Sequence, residues 1–132
     1  MNALIDTHTF LWSVSDPDRL SKKAQTVLKD PNNSIWISVV SFWEISIKHA
    51  VGKLELVNVL PEAFPDIAKQ MQFEILNLSA LDAATFYKLP KMRHKDPFDR
   101  LIIWQAIQQK MPLISKDQQF KDYKELGLKV LW

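Results

Sequence analysis

Short apolar runs, each ending at a polar residue and followed by a helix start, recur along this 132-residue chain. That alternation constrains the fold more than any other feature. Ala3-Leu4-Ile5 ends at Asp6 and leads into a helical stretch over Thr7 to Val14, stopped at Ser15-Asp16-Pro17. Ser21 is a good N-cap for a helix over Lys22 to Lys29. Ile35 to Val39 reads as a buried second strand, with Trp36 in the core. Ser41-Phe42-Trp43-Glu44 opens a helix that closes at Gly52, a suitable C′ residue. Pro61 to Gln72 is helical in pattern, Phe73 to Leu78 is a third strand, and Ser79 starts a helix that stops before Pro90. Asp96-Pro97 is an N-cap followed by proline at the first helical position, and opens an apolar helix from Phe98 to about Lys110. Pro112 to Ile114, a brief helix near Gln119 to Leu126, and Lys129 to Leu131 complete the pattern. Strands alternating with helices predict an α/β fold with a parallel sheet covered on both faces. No repeat or composition break divides the chain, so one domain over 1–132 is expected.

Several function classes fall away. Two glycines, Gly52 and Gly127, cannot build a glycine-rich phosphate loop or a dinucleotide fingerprint. The absence of cysteine removes a disulfide framework, thiolate zinc sites and a cysteine nucleophile, and suits a reducing cytosol. No apolar run approaches the roughly 18 residues of a membrane span, and no secretory signal is visible. A cytoplasmic protein with no membrane partner is therefore expected. The net charge of +2 is too mild to announce nucleic-acid binding. Its distribution says more: Lys88, Lys91, Arg93, Lys95 and Arg100 crowd around His94, with Asp96 and Asp99 among them. That stretch is either a solvated loop or a basic rim around an acidic centre, which would suit a phosphate-bearing substrate.

Sites in parallel sheets form outside the carboxyl ends of the strands. Asp6 follows the first strand and Asp117 the fourth; Glu44 lies one turn into the helix leaving the second strand, and Asp99 in the first turn of the helix leading into the fourth. Four carboxylates converging on one edge repel each other unless a cation neutralises them. Oxygen-only ligands suit a hard ion such as Mg²⁺ or Mn²⁺. Each acid also has a structural explanation. Asp6 and Asp117 can be N-caps, Glu44 fits a capping box with Ser41 and an i, i+4 pair with Lys48, and Asp99 suits a helix N-terminus capped by Asp96. Caps need not converge, whereas metal ligands must. Asp18, Asp30, Asp66 and Glu125 read as ordinary solvated or turn residues.

Asp6 after a short strand, Ser41-Phe42-Trp43-Glu44, Asp99 opening Leu101-Ile102-Ile103-Trp104-Gln105-Ala106, and Ser115-Lys116-Asp117 resemble the four acidic motifs of PIN domains. Leu4-Ile5-Asp6-Thr7-His8-Thr9-Phe10-Leu11-Trp12, Trp43-Glu44-Ile45-Ser46-Ile47-Lys48, Gly52-Lys53-Leu54 and His94-Lys95-Asp96-Pro97-Phe98-Asp99-Arg100 are similar to one subgroup of the VapC-type toxin branch. The resemblance spans essentially the whole chain. It departs in Ser115, where many relatives have threonine, and in Trp104, where a small residue is common.

The resemblance implies a PIN-like three-layer α/β/α sandwich with a five-stranded parallel sheet of order 3-2-1-4-5. It implies a Mg²⁺- or Mn²⁺-dependent endoribonuclease that leaves a 3′-hydroxyl and a 5′-phosphate. Asp6, Glu44, Asp99 and Asp117 would be the acidic quartet, with Asp96 supporting. Ser38, Ser41 and Ser115 are second-rank candidates that could orient ligands or waters, with core or cap roles as alternatives. Lys48, Lys91, Arg93, Lys95, Arg100 and Lys116 are candidates for gripping RNA phosphates; Arg100 could instead pair with Asp99. For His8 and His94, surface or hydrogen-bonding roles are preferred to ligation. Relatives of this type form homodimers and are restrained by a VapB-type antitoxin, so both partners are expected, with Trp12 and Trp43 as candidate interface aromatics. The alternative is a PIN-fold RNA-binding or protein-interaction module with little turnover. A receiver-type phosphoacceptor fits poorly, because Ser79-Ala80-Leu81 rather than an aspartate follows the third strand.

Overall fold

The computed structural model describes residues 1–132. Five strands, β1 (Asn2–Ile5), β2 (Ser34–Ser38), β3 (Glu74–Leu76), β4 (Leu113–Ile114) and β5 (Val130–Leu131), form one sheet of order β3-β2-β1-β4-β5. All four pairings are parallel, with Leu4 opposite Trp36 on one side of β1 and opposite Leu113 on the other. The helices are α1 (Thr7–Ser15), α2 (Lys22–Lys29), α3 (Val39–Ala50), α4 (Phe64–Gln70), α5 (Ala80–Thr85) and α6 (Pro97–Gln109). No helix is long and apolar enough to cross a membrane.

Alternation along the strands divides the core. Ala3, Ile5, Ile35 and Ile37 face one side, with Phe10 of α1, Ala24 of α2, Ile45 of α3 and Phe64 of α4. Leu4 and Leu113 face the other, with Ile102, Ile103 and Trp104 of α6 and with Phe120 and Tyr123. This is the expected three-layer sandwich. Each fully buried aliphatic side chain contributes about 1.5–3 kcal/mol, so both layers bind the sheet firmly.

Several boundaries differ from the sequence reading. α3 begins at Val39, capped by Ser38, whose Oγ accepts from Val40 N–H at 3.0 Å. The Ser41–Glu44 capping box is therefore not formed: the strand hands over to the helix earlier, because Ser38 already satisfies a first-turn N–H. Glu44 still lies just over one turn into α3. The stretch from Pro61 divides into a 3₁₀ turn (Pro61–Ala63) and α4. β3 is shorter than the apolar run that encodes it, and residues 118–126 wind as 3₁₀ rather than α turns. Trp36 is half-buried rather than in the core, and its indole N–H donates to Asn2 Oδ1 at 3.3 Å. Gly52 does close α3, at φ +74°: its N–H bonds His49 O, and Lys53 N–H bonds Lys48 O at 2.8 Å.

Candidate active site

The chain order reverses between β1 and β4, and their carboxyl ends open a crevice there. Asp6, Asp99 and Asp117 line this cleft of about 370 Å³, together with His8, Trp12, Arg19 and Lys116. Glu44 reaches the same region from α3. One carboxylate oxygen from each of Glu44, Asp96 and Asp99 lies within 4.8 Å of the others. His94, Asp99 and Asp117 form a second triple within the same limit, and Asp99 is common to both. Asp6 belongs to neither triple and shares the cleft wall with Asp99 and Asp117.

The cap and the site use different oxygens of the same carboxylates. Asp6 Oδ1 accepts from Thr9 N–H at 2.9 Å, Asp96 Oδ1 from Asp99 N–H at 3.0 Å, and Asp117 Oδ1 from Gln119 N–H at 2.9 Å. Each Oδ2 is directed elsewhere. Asp6 Oδ2 accepts from the Ser115 hydroxyl at 2.6 Å, Asp117 Oδ2 lies 3.4 Å from His94 Nδ1, and Asp96 Oδ2 lies 3.9 Å from Lys48 Nζ. Capping thus orients these side chains without consuming them.

Glu44 is nearly fully buried. Its Oε1 lies 2.6 Å from Thr7 Oγ1, which in turn lies 2.9 Å from Ser41 Oγ. The carboxylate can only accept, so Thr7 gives its single proton to Glu44 and Ser41 completes the chain. Lys48 forms an ion pair with Glu44 Oε2 one turn along α3. His94 Nε2 bonds Asp99 Oδ2 at 2.8 Å and Nδ1 lies 3.2 Å from Gln119 Oε1, while the ring meets Phe120 edge to face.

These contacts shift proton affinities. Burial, reinforced by the charges of Asp96 and Glu44, pushes Asp99 up to about 7 despite the His94 hydrogen bond. Burial also raises Asp6, outweighing the bonds from Ser115 and Thr9. Burial opposes charge on His94 and Lys48, but Asp99 and Gln119 around the first, and Glu44 around the second, hold both above their ordinary values. The centre is rich in carboxylate oxygen and short of positive charge, with Lys48 and His94 as its contacting cations. That donor set fits a hard divalent ion.

The remaining candidates separate by environment. Ser115 touches Asp6, and Ser41 touches Thr7, but the Ser38 hydroxyl donates to Gln105 Oε1 at 2.5 Å on the sheet side and meets none of the acids. Arg93 is bidentate to Asp122, at 2.8 Å for both bonds. Arg100 makes no ion pair with Asp99; it donates to the Leu89 and Pro90 carbonyls and lies over Phe86. Lys116 lines the acidic cleft, whereas Lys91 and Lys95 line a neighbouring cavity with His94 and Arg100. His8 is exposed and stacks, tilted, on Trp12. Thr7 and Arg19 escaped the sequence reading. A polar residue at the first position of a helix on a buried strand end marked Thr7; nothing local marked Arg19, which lies over Trp12 at 4.6 Å.

The chain is similar to several known proteins. Ribonuclease VapC22 of Mycobacterium tuberculosis (strain ATCC 25618 / H37Rv) is 23% identical over 129 residues, covering 98% of this chain and 97% of that protein. VapBC2 from Rickettsia felis, solved bound to a DNA fragment from its promoter, aligns with a TM-score of 0.67 at 19% identity, over 99% of this chain and 98% of the other. VapBC-1 from nontypeable Haemophilus influenzae aligns with a TM-score of 0.66 at 19% identity, over 99% and 97%. These structural likenesses establish the shared fold. The PIN domain family matches residues 3–126, nearly the whole length, and the chain therefore belongs to the PIN domain family.

Proposed function

We propose that this chain is a VapC-type endoribonuclease that depends on Mg²⁺ or Mn²⁺ and hydrolyses RNA phosphodiester bonds. The observation that carries this reading is that Asp6, Asp99 and Asp117 line one cleft and Glu44 joins them beside Asp99, although the four lie far apart in the chain. The similarity to Ribonuclease VapC22 supports it. Asp6, Glu44, Asp99 and Asp117 would hold the ion, with Asp96 assisting. When bound, the ion supplies Lewis acidity toward water and charge compensation for the phosphoryl oxygens.

The chain's own residues prepare the site. Ser115 and Thr9 fix the Asp6 carboxylate, Thr7 fixes Glu44, and His94 bridges Asp99 and Asp117. Lys48 offsets the charge of Glu44 until a stronger cation arrives. Lys116 and Arg19, on the cleft wall, are placed to meet phosphate oxygens. No serine, cysteine or histidine nucleophile is required for hydrolysis by water.

The same reading includes a cytoplasmic setting and two partners. A VapB-type antitoxin would seat an apolar segment in the groove of about 570 Å³ lined by Leu11, Trp12, Leu54, Leu56 and Phe64. Arg19 and His8 border both that groove and the acidic cleft, so a basic side chain of the antitoxin could reach the acids. A second copy of the chain would cover Trp43, which is 55% exposed and packs edge to face on Phe98. Sedimentation at micromolar concentration is expected to give a dimer, and a monomer at every concentration would reject that part.

The deciding experiment incubates purified protein with total cellular RNA and Mg²⁺, with and without chelator, and maps the cut ends. Cleavage that chelator abolishes is expected. RNA binding without cleavage under any divalent ion would favour the binding-module alternative.

A further inference from the structure

A second cavity of opposite character adjoins the acidic cleft. It measures about 320 Å³ and is lined by Lys91, Met92, His94, Lys95 and Arg100, with no carboxylate among them. His94 is the partition between the two. Its ring bonds Asp99 at 2.8 Å and lies 3.4 Å from Asp117, while the same residue lines the basic cavity.

The backbone that presents the lysines is held at three points. Arg100 Nη2 donates to Leu89 O at 3.0 Å and to Pro90 O at 3.1 Å, Arg93 is clamped on Asp122, and His94 is fixed by Asp99 and Gln119. Such anchoring reduces the ordering cost of binding. Lys91 and Lys95 form no ion pair with any carboxylate. Arg100 Nε is buried and has no hydrogen-bond acceptor. A cavity lined by two unpaired lysines, a histidine and an arginine, with no carboxylate on its wall, calls for an anion.

We propose that this cavity binds a non-scissile phosphodiester of single-stranded RNA, next to the one positioned in the acidic cleft. The identity of the strand rests on the nuclease reading above. A chain with a charge on every nucleotide can place one phosphate on each side of the His94 partition. Without a divalent ion the acids of the cleft repel RNA, so binding in chelator gives the basic side its greatest weight.

The test measures fluorescence anisotropy of a labelled single-stranded RNA oligonucleotide with the full chain in chelator, across a salt series. The variant K91Q/K95Q is compared with wild type and with K121Q/K124Q, which removes charge from a separate basic surface lined also by Lys129. Binding by K91Q/K95Q is expected to weaken about tenfold, in keeping with loss of charge-assisted hydrogen bonds. The slope of log K against log salt should fall by about 0.7, the value for one single-strand phosphate. In Mg²⁺, KM for RNA should rise while kcat holds. Unchanged affinity, or an equal loss in K121Q/K124Q, would overturn the assignment. The oligonucleotide is used with a 5′-hydroxyl and with a 5′-phosphate: equal affinity is expected, and a clear preference for the 5′-phosphate would overturn an internal phosphodiester in favour of a terminal one. Lysine-dependent binding by a wild-type protein that never cleaves RNA would keep the cavity's ligand and overturn the nuclease reading alone.

Discussion

Asp6 and Glu44 are both almost completely buried carboxylates at the same sheet edge, yet the fold supports them by opposite means. Asp6 is held by neutral donors alone, the Ser115 hydroxyl and the Thr9 N–H. Glu44 is held by a hydroxyl from Thr7 and by the ammonium of Lys48. Neutral donors orient a carboxylate without cancelling its charge, so the Asp6 side remains available to an arriving cation. The Lys48 side is already compensated, which keeps the ion-free protein stable but opposes the ion. The two halves of the site therefore divide two tasks, attraction of the metal and stability in its absence.

The largest effect should come from removing a carboxylate charge, either from Asp6, which only neutral donors hold, or from Asp99, which His94 holds. Asp6→Asn and Asp99→Asn are each expected to lower RNA cleavage by at least about 10²–10³-fold, the scale for losing one electrostatic contact at a reacting centre. Single-turnover cleavage in saturating Mg²⁺ measures it, and wild-type rates in both variants would dismiss a metal mechanism.

Positioning comes next. Ser115→Ala leaves Asp6 charged but loosely held, so the affinity for Mn²⁺ should weaken by about 10–100-fold, as for other supporting partners of ligands. Thr7→Val should have the smaller effect, because Lys48 still holds Glu44. Titration calorimetry with Mn²⁺ ranks the two, and the reverse order would refute the division of tasks.

Lys48→Met tests the compensated side. In chelator the variant should lose about 2 kcal/mol, the range of a hydrogen bond to a charged group. Its thermal midpoint should gain more from Mg²⁺ than that of wild type, since a ligand binding the native state stabilises it by mass action. A midpoint insensitive to the ion in both proteins would count against an assembled site.

The smallest effect is the pH response of the ion-free protein. Asp99 is raised to about 7 by burial and by its acidic neighbours, and its unfolded value is 3.8. The folded state therefore holds the extra proton between those values, and stability falls as pH rises through that window. His94, also raised, contributes stability that is lost as pH climbs past its folded value. In chelator the melting midpoint should drop as pH rises from about 4 to about 7, and Asp99→Asn or saturating Mg²⁺ should flatten the curve. A midpoint that rises over this range would contradict the charge distribution.

Much of this molecule was legible in the chain itself. The short runs Ala3-Leu4-Ile5 and Ile35-Trp36-Ile37, with helix signals between them, specified the parallel sheet, because period-two burial and cap chemistry are local properties. The acids at strand ends were legible for the same reason. Sequence could not decide whether Asp6, Asp96 and Asp117 were caps or ligands. Only the folded chain shows that one oxygen caps while the other faces a different partner. It also could not sort the basic residues, since Lys48, Arg93 and Arg100 look alike in sequence to Lys91 and Lys95. The first three meet Glu44, Asp122 and the Leu89 and Pro90 carbonyls, while the two lysines border the cavity beside His94. Propensity and capping act over a few residues, but a charge is defined by whatever the fold brings within a few ångströms of it, and that is a matter of tertiary structure.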